Sequence, residues 1–263
     1  MNTTTDRSAP RRTLHRWALS MAWIGIVLGA LAVLAVLLPG PAYRYGLVGL
    51  HFAFGMIRIG AKGGIAAAAI SLATFALALR ARHRGYALHA LFALLLGALA
   101  FVPPWLLVKR ARSLPDIHDI STDTANPPRF QAILALREKA PNSPVYGGAA
   151  IAAQQQAAYP DIQPLHLEQA TADVLAAAHK VALAMGWRIV AEQADAGRLE
   201  ATATTLWFGF KDDVVIRVRP DGNGSRLDIR SESRLGESDV GANAARIRRF
   251  TARLQHQLGR AGS

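Results

Sequence analysis

Three long apolar segments in the first 112 residues constrain this chain more than any other feature. Residues 17–38 form an uncharged run of 22, residues 63–79 one of 17, and residues 85–108 one of 24. At 1.5 Å per residue the first run covers about 33 Å, which matches the roughly 30 Å hydrocarbon core of a bilayer. Unpaired backbone amides are too costly in lipid, so each run is expected to be a helix. The sequence therefore predicts three transmembrane helices, with the lipid bilayer as a partner.

Two further details of this segment carry predictions. The stretch 45–57 is uncharged for only 13 residues before Arg58 and Lys62 follow, which is too short to span. It is interpreted as an interfacial or re-entrant helix, with an ordinary helical connection between spans as the alternative. The pair Pro103-Pro104 is expected to break the end of the third helix.

The charges are distributed very unevenly along the chain. Residues 1–112 contain 13 lysines and arginines and one acidic residue, Asp6, whereas residues 113–263 contain 17 basic and 17 acidic residues. The whole net charge of +12 therefore belongs to the apolar segment, and the balanced remainder argues against nucleic acid as a partner. The chain divides into a membrane domain, 1–112, and a soluble domain, 113–263.

The arginines also predict an orientation. No A-x-A site follows the first apolar run, so it is treated as an uncleaved anchor. Short basic loops stay in the cytoplasm, which places seven arginines inside and six basic residues outside. The inside set is Arg7, Arg11, Arg12, Arg16, Arg80, Arg82 and Arg84. We expect a multi-pass inner-membrane protein with a cytoplasmic N-terminus and a periplasmic C-terminal domain, and the absence of cysteine is compatible with that location without proving it.

The soluble part has an α+β pattern. Residues 113–165 carry seven prolines and form an irregular lead-in with short helices expected at 129–138 and 149–158. The elements expected after it are a helix at 168–185, strands at 187–193, 198–207, 213–219 and 225–231, and a helix from Ser238 or Asp239 to Gly259. The segment PDGNG at 220–224 predicts a hairpin. The predicted fold is a four-stranded antiparallel sheet in the order α-ββββ-α.

Both helices are expected on one face of this sheet, since an antiparallel sheet can leave its other face in water. The other face, or the groove between sheet and helices, is then where a partner binds. The residues predicted to line that open face are Arg217, Arg219, Arg226, Asp228 and Arg230. Asp212 and Asp213 are interpreted as a solvated strand end.

One acidic group in the lead-in has ligands for a metal. Asp116, His118, Asp119 and Asp123 form the pattern D-x-H-D-x-x-x-D, whose oxygens and imidazole could hold a divalent ion. The alternative is that these residues cap turns before Pro127-Pro128. No cofactor is predicted, because the sequence has no phosphate-binding loop, no dinucleotide fingerprint and no H-E-x-x-H motif.

A second polar group lies around the turn from the last strand into the last helix. One interpretation is a site for an anion or a lipid headgroup, because arginine forks and a helix N-terminus favour phosphate. The other is a structural network in which Asp239 caps the helix while Arg230 or Arg234 pairs with Asp119 or Asp123. Together the two groups give the candidate site residues His118, Asp119, Thr122, Asp123, Arg230, Ser231, Arg234, Asp239, Asn243 and Arg246.

Several strings in the soluble part are unusually specific. They are PDIHDISTDTANPPRF at 115–130, AYPDIQPL at 158–165, FGFKDDVVIRV at 208–218 and DIRSESRLGESDVGANAARIRRF at 228–250. Over about residues 113–258 the chain resembles the bacterial and plastid family known as domain of unknown function 1499. The resemblance implies a domain that is often membrane-anchored, has no agreed activity and supplies no catalytic residue.

The sequence thus favours a non-enzymatic binding or envelope-assembly module whose partner is an envelope protein or an anionic ligand. One alternative is a membrane-anchored metal-dependent hydrolase that uses His118, Asp119 and Asp123. Another makes the membrane segment the working part and the soluble domain its regulator.

Overall fold

The computed structural model describes residues 9–261, with side chains from Trp17 to Gly259 except that of Ala18. Arg7 and the side chains of Arg11, Arg12 and Arg16, on which the predicted orientation partly depends, lie outside the described residues. The chain divides into two compact units between Lys109 and Arg110, close to the boundary expected at Ser113.

The membrane unit consists of helices. They are α1 (Ala9–Leu37), α2 (Pro39–Arg44), α3 (Leu50–Arg80) and α4 (Arg84–Ala111). In the described part of the chain, three segments are long and apolar enough to cross a membrane, namely Leu19–Arg44, Leu50–Arg80 and Arg84–Ala111. These lengths and compositions indicate a membrane protein.

The sequence led us to predict a separate interfacial or re-entrant helix at 45–57. The structure shows that this prediction is wrong. Its residues from Leu50 onward are the start of α3, which continues through Arg58 and Lys62 to Arg80. Charged side chains that are exposed on a helix do not interrupt its backbone hydrogen bonds. The distance from Arg58 to Arg80 along the helix is about 33 Å. The segment between these two arginines therefore has about the length of a hydrocarbon core, with a basic residue at each end.

The predicted break at Pro103-Pro104 is also wrong. Helix α4 runs through both prolines to Ala111. Proline holds φ near −65°, which is a helical value. Membrane helices tolerate the loss of its amide donor because neighbouring groups can satisfy the freed carbonyl oxygens.

Glycine allows two of the membrane helices to approach closely. A Cβ added to Gly64 in α3 would lie 2.7 Å from the carbonyl oxygen of Gly97 in α4, and a Cβ on Gly97 would lie 2.7 Å from the carbonyl oxygen of Gly64. Both positions therefore exclude any side chain, which is the usual packing device of membrane helices.

The soluble unit is built around one antiparallel sheet. Its strands are β1 (Asp119–Ser121), β2 (Leu165–Leu167), β3 (Arg188–Gln193), β4 (Arg198–Thr204), β5 (Lys211–Asp221) and β6 (Gly224–Ser233). Its helices are α5 (Leu134–Arg137), α6 (Gly148–Ala158), α7 (Thr171–Ala184) and α8 (Ala242–Ala261). The α+β class and the order of the predicted elements are confirmed, and α8 continues beyond the Gly259 expected to end it.

The described sheet has six strands rather than the predicted four. The order is β1-β6-β5-β4-β3, and β2 also pairs with β6. The two additional strands come from the proline-rich lead-in and pair with different parts of β6, Ile120 opposite Ser231 and His166 opposite Arg226. Each has three residues, which is too few for an alternating pattern to be recognised in the sequence. The predicted hairpin is present, with Asp221 opposite Gly224 and Gly222 at φ +57°.

Helices α7 and α8 cover one face of this sheet, which we call the helix face. Their apolar residues recur every three or four positions, as in Ile247, Phe250 and Leu254, and so form one stripe on α8. This stripe packs on Val214 and Ile216 of β5 in the main core of the unit. Phe250 also stacks on Trp187 with 5.3 Å between ring centroids.

The opposite face, which we call the ionic face, is not open to solvent as predicted. The lead-in from Thr122 to Tyr146 crosses it, and Phe130 and Ile133 pack on Val215 there. Asp228 and Arg230, which were expected to be accessible, are 0% and 1% exposed. The proline-rich segment therefore packs over the ionic face of the sheet and buries it.

Candidate functional site

The ionic face originates in a charge pattern on β6. Every second residue of this strand points to the same face, and the four charged residues there, with Arg234 directly after the strand, alternate in sign. They are Arg226, Asp228, Arg230, Glu232 and Arg234. Neighbours on one strand face are close enough to interact, so this pattern favours ion pairs within and between strands.

Arg230 lies at the centre of the face. Its Nε and Nη2 donate to the two carboxylate oxygens of Asp119 on β1, both at 2.8 Å. Nη2 also donates to the carbonyl oxygen of Pro144 at 2.9 Å and to Glu232 at 3.1 Å. The guanidinium carbon lies 4.8 Å from the ring centroid of Phe130. A single arginine thus joins β1, β6 and the lead-in, as the structural alternative for this group expects.

Two more arginines complete this cluster. Arg137 of α5 donates to Asp213 at 2.9 Å and to Glu232 at 2.7 Å. Arg234 donates to both carboxylate oxygens of Asp213 at 2.8 Å, and through Nη1 to the carbonyl oxygen of Leu136 at 3.0 Å. Asp213 is fully buried, so the prediction that Asp212 and Asp213 form a solvated strand end is wrong.

A second group of ion pairs lies nearer the hairpin. Asp228 accepts from Arg217 at 2.8 Å, from Arg219 at 2.9 Å and from Arg226 at 3.0 Å. Asp123 accepts from Arg226 at 2.8 Å and from Arg217 at 3.1 Å, and it also accepts from the backbone amide of Asn126. Asp123 therefore attaches the lead-in to the arginines of β5 and β6.

Further buried polar residues hold the lead-in to the sheet. Glu200 accepts from the backbone amides of Gln131 and Ile133 at 2.9 and 3.0 Å. Gln155 of α6 accepts from the amide of Ser121 at 2.9 Å and donates to its carbonyl at 2.7 Å. This side chain thus pairs with β1 as another strand would.

Burial changes the acidity of one carboxyl group strongly. Desolvation, with a contribution from Asp119, raises the pKa of Glu232 to about 8, although Arg137 and Arg230 lower it. Burial therefore opposes the charged form of Glu232, which the two arginines favour.

The remaining predicted residues are on the helix face. Arg246 of α8 is bonded to Asp212 and Asn243 and donates to Ser231 at 2.9 Å. Asn243 donates to the carbonyl oxygen of His118 at 2.9 Å. Because strand residues alternate between faces, Ser231, Asn243 and Arg246 cannot share one site with Arg230 and Arg234. The sequence had grouped all of these residues together.

Asp239 and Thr122 have structural partners as well. Asp239 accepts from the backbone amides of Gly241 and Asn243 at 2.8 and 2.6 Å and so caps the start of α8. Burial raises the pKa of Asp239. The hydroxyl of Thr122 accepts from the amide of Ile229 at 2.9 Å.

The proposed metal ligands do not converge. Asp119 is paired with Arg230, Asp123 is paired with Arg217 and Arg226, and Nδ1 of His118 lies 3.1 Å from the carbonyl oxygen of Glu237. Among the residues that the structure describes, no three His, Asp or Glu side chains are placed to hold a metal ion. This geometry gives no support to a hydrolase built on His118, Asp119 and Asp123.

The sequence did not predict a cleft of about 900 Å³ beside the ionic face. Two stretches of the lead-in form most of it, and Arg230 contributes to its wall. The lining residues are Thr124, Ala125, Asn126, Pro127, Arg129, Phe130, Leu134, Pro144, Val145, Tyr146, Gly148, Ala149, Ala152, Ala153, Gln156 and Arg230. A volume of this size lies within the range of clefts that hold small molecules.

Tyr146 is the unusual residue of this cleft. Its ring lies 5.5 Å from the guanidinium carbon of Arg230, and its hydroxyl is buried without a hydrogen-bond partner among the described residues. Desolvation, with a contribution from Asp119, raises the pKa of Tyr146 to about 12. A buried hydroxyl without a partner costs free energy.

The comparisons with known proteins concern the soluble unit. A family described as "Protein of unknown function (DUF1499)" matches residues 119–254, which include the strands β1 to β6 and most of α8. No curated protein matches the chain.

Proposed function

Because the chain belongs to DUF1499, a family of proteins of unknown function, we propose a function from the site itself: the soluble unit is a non-enzymatic, membrane-anchored module that binds a ligand in the cleft beside Arg230. The observation that carries this proposal is the cleft itself, with Tyr146 and Arg230 among its lining residues. The ionic face is already filled by its own ion pairs, so binding is assigned to the cleft that it supports.

The rigidity of the cleft wall supports a binding role. Arg230 is held by Asp119, Glu232 and Pro144, and α6 is attached to β1 through Gln155. A wall that is fixed before the ligand arrives loses little conformational entropy on binding.

Photo-crosslinking in cells tests this proposal. Val145 lines the cleft and is 76% exposed, so a benzoylphenylalanine can replace it without disturbing the core. We expect a discrete crosslinked species at position 145 and none at Asp195, an exposed residue in a turn that does not line the cleft. Equal crosslinking at both positions, or none at 145, would contradict binding in the cleft.

We also propose that this unit lies outside the cytoplasm and that the protein is in the inner membrane. Three spans place the ends of a chain on opposite sides of the bilayer, and the short basic turn around Arg80, Arg82 and Arg84 favours the cytoplasm. Fusions after Ser263 to a reporter active only in the periplasm and to one active only in the cytoplasm test this. Activity of the cytoplasmic reporter alone would reverse the assignment.

A further inference from the structure

The charge of the cleft indicates the kind of ligand it takes. Its described lining contains two arginines, Arg129 and Arg230, and no carboxylate. Asp119 neutralises Arg230, so the uncompensated positive charge at the cleft is that of the exposed Arg129.

The first turn of α6 adds to this positive potential. Gly148 and Ala149 begin this helix of 11 residues and also line the cleft. The preceding Gly147 has no side-chain acceptor to cap the helix amides. Helix N-termini attract negative charge through these amides.

The rest of the cleft is apolar. Val145 and Leu134 are 76% and 44% exposed, and Phe130, Ala152 and Ala153 continue this surface. A small inorganic anion would leave these side chains in water, whereas a hydrocarbon chain would cover them, which is favourable by about 25 cal/mol per Å² buried.

Resting on the proposed binding role of the cleft, we infer that its ligand is an anionic amphiphile with a single hydrocarbon chain. Its head lies between Arg129 and the first turn of α6, and its chain lies along Leu134 and Val145. The head accepts hydrogen bonds and gains from the positive potential, while the chain covers the exposed apolar side chains.

A photoreactive dodecanoate with a diazirine on its chain tests this inference on the full-length protein in nanodiscs of zwitterionic lipid. We expect the label to map to residues 144–153. Dodecanoate and dodecyl phosphate should displace it at concentrations at least tenfold below those of dodecanol or dodecyltrimethylammonium, because these four competitors share the chain and differ in the head. Inorganic phosphate should not displace it.

Two pairs of variants locate the binding site. Ala149→Trp fills the cleft and should abolish labelling, whereas Ala157→Trp on the same helix is exposed outside the cleft and should not. Arg129→Glu should weaken displacement by dodecanoate about tenfold. Lys139→Glu makes the same charge reversal at an exposed residue that does not line the cleft and should leave it unchanged.

The outcomes separate this inference from the function on which it rests. Equal displacement by dodecanol would overturn the anionic head while leaving a binding cleft in place. Displacement by inorganic phosphate as good as that by dodecyl phosphate would overturn the chain. Labelling that persists in Ala149→Trp, or no labelling of residues 144–153, would overturn the inference. In that case the crosslinking experiment at position 145 in cells would decide whether the proposed binding function still holds.

Discussion

The two faces of the soluble sheet are both buried, but by different means. On the helix face, aliphatic and aromatic side chains such as Ile216 and Phe250 fill the space between sheet and helices. On the ionic face, arginines and carboxylates lie under the lead-in, and Arg230, Asp213 and Glu232 are at most 1% exposed. Apolar packing is non-directional, whereas a buried ion pair requires an oppositely charged group in a suitable geometry.

This difference indicates what each face does. The helix face supplies the hydrophobic free energy of folding, since burying apolar surface is the main favourable term. Buried ion pairs contribute little net stability compared with apolar residues of the same size. The ionic face instead determines where the lead-in lies and therefore the shape of the cleft.

The largest effect is expected when one partner is removed from the ionic face. Arg230→Ala leaves Asp119 and Glu232 buried without this partner, which should lower the free energy of unfolding by about 3–5 kcal/mol. Pulse proteolysis of the full-length protein in urea measures it. Arg188→Ala, at an exposed residue of the same sheet, should change it by less than about 0.5 kcal/mol. A small loss in Arg230→Ala would show that the face is hydrated and not tightly packed.

Replacing both partners by apolar residues should recover much of that loss. In the double variant Asp119→Leu and Arg230→Met neither charge remains. The two apolar side chains have volumes similar to those of the residues they replace and can contact each other. We expect a free energy of unfolding about 2 kcal/mol above that of Arg230→Ala, because matched apolar replacements of buried ion pairs are often neutral. The same measurement checks it. A double variant less stable than Arg230→Ala would mean that the ion pair itself supplies stability.

The ionic face should also make stability depend on pH. The pKa of Glu232 is raised from 4.5 to about 8 on folding, so the folded state binds more protons between these values. The contribution of this group to stability should therefore be fully present at and below about pH 4.5 and be lost as the pH rises toward about 8. Thermal unfolding should show a midpoint that falls by several degrees over this interval. Glu232→Gln should flatten the slope, and an unchanged slope in this variant would contradict the assignment.

The helix face should respond least to a conservative change. Ile216→Val removes one buried methylene and should cost about 1 kcal/mol, with the pH dependence unchanged. Urea unfolding at two pH values checks both parts. A loss above about 3 kcal/mol would show that the helix face is as intolerant as the ionic face.

The periodic parts of this structure could be predicted from the sequence. Alternation in β4, β5 and β6 and the apolar stripe of α8 are repeated over enough residues to be recognised, as are the three apolar runs. The short strands β1 and β2 could not be predicted, because three residues carry no period. Helix α3 is longer than predicted, because Arg58 and Lys62 were taken as its boundary although exposed charges do not end a helix.

The candidate site was harder to predict, because many of its residues are far apart in the sequence and show no periodic pattern. The pairing of Arg230 with Asp119 was among the sequence alternatives, but Arg137, Glu200 and Asp213 were missed. The alternating charges of β6 were a signal for an ionic face, since they recur at the period of a strand. The cleft has no such signal, because the loop around Arg129 and the start of α6 come together only in the folded unit.

Native mass spectrometry of the full-length protein, purified from its own membranes, tests the central claim most directly. The wild type and Ala157→Trp should each carry one non-covalently bound anionic amphiphile, and Ala149→Trp should have the mass of the chain alone. A wild-type protein without an adduct, or an adduct that survives in Ala149→Trp, would contradict the claim that this cleft is the ligand site.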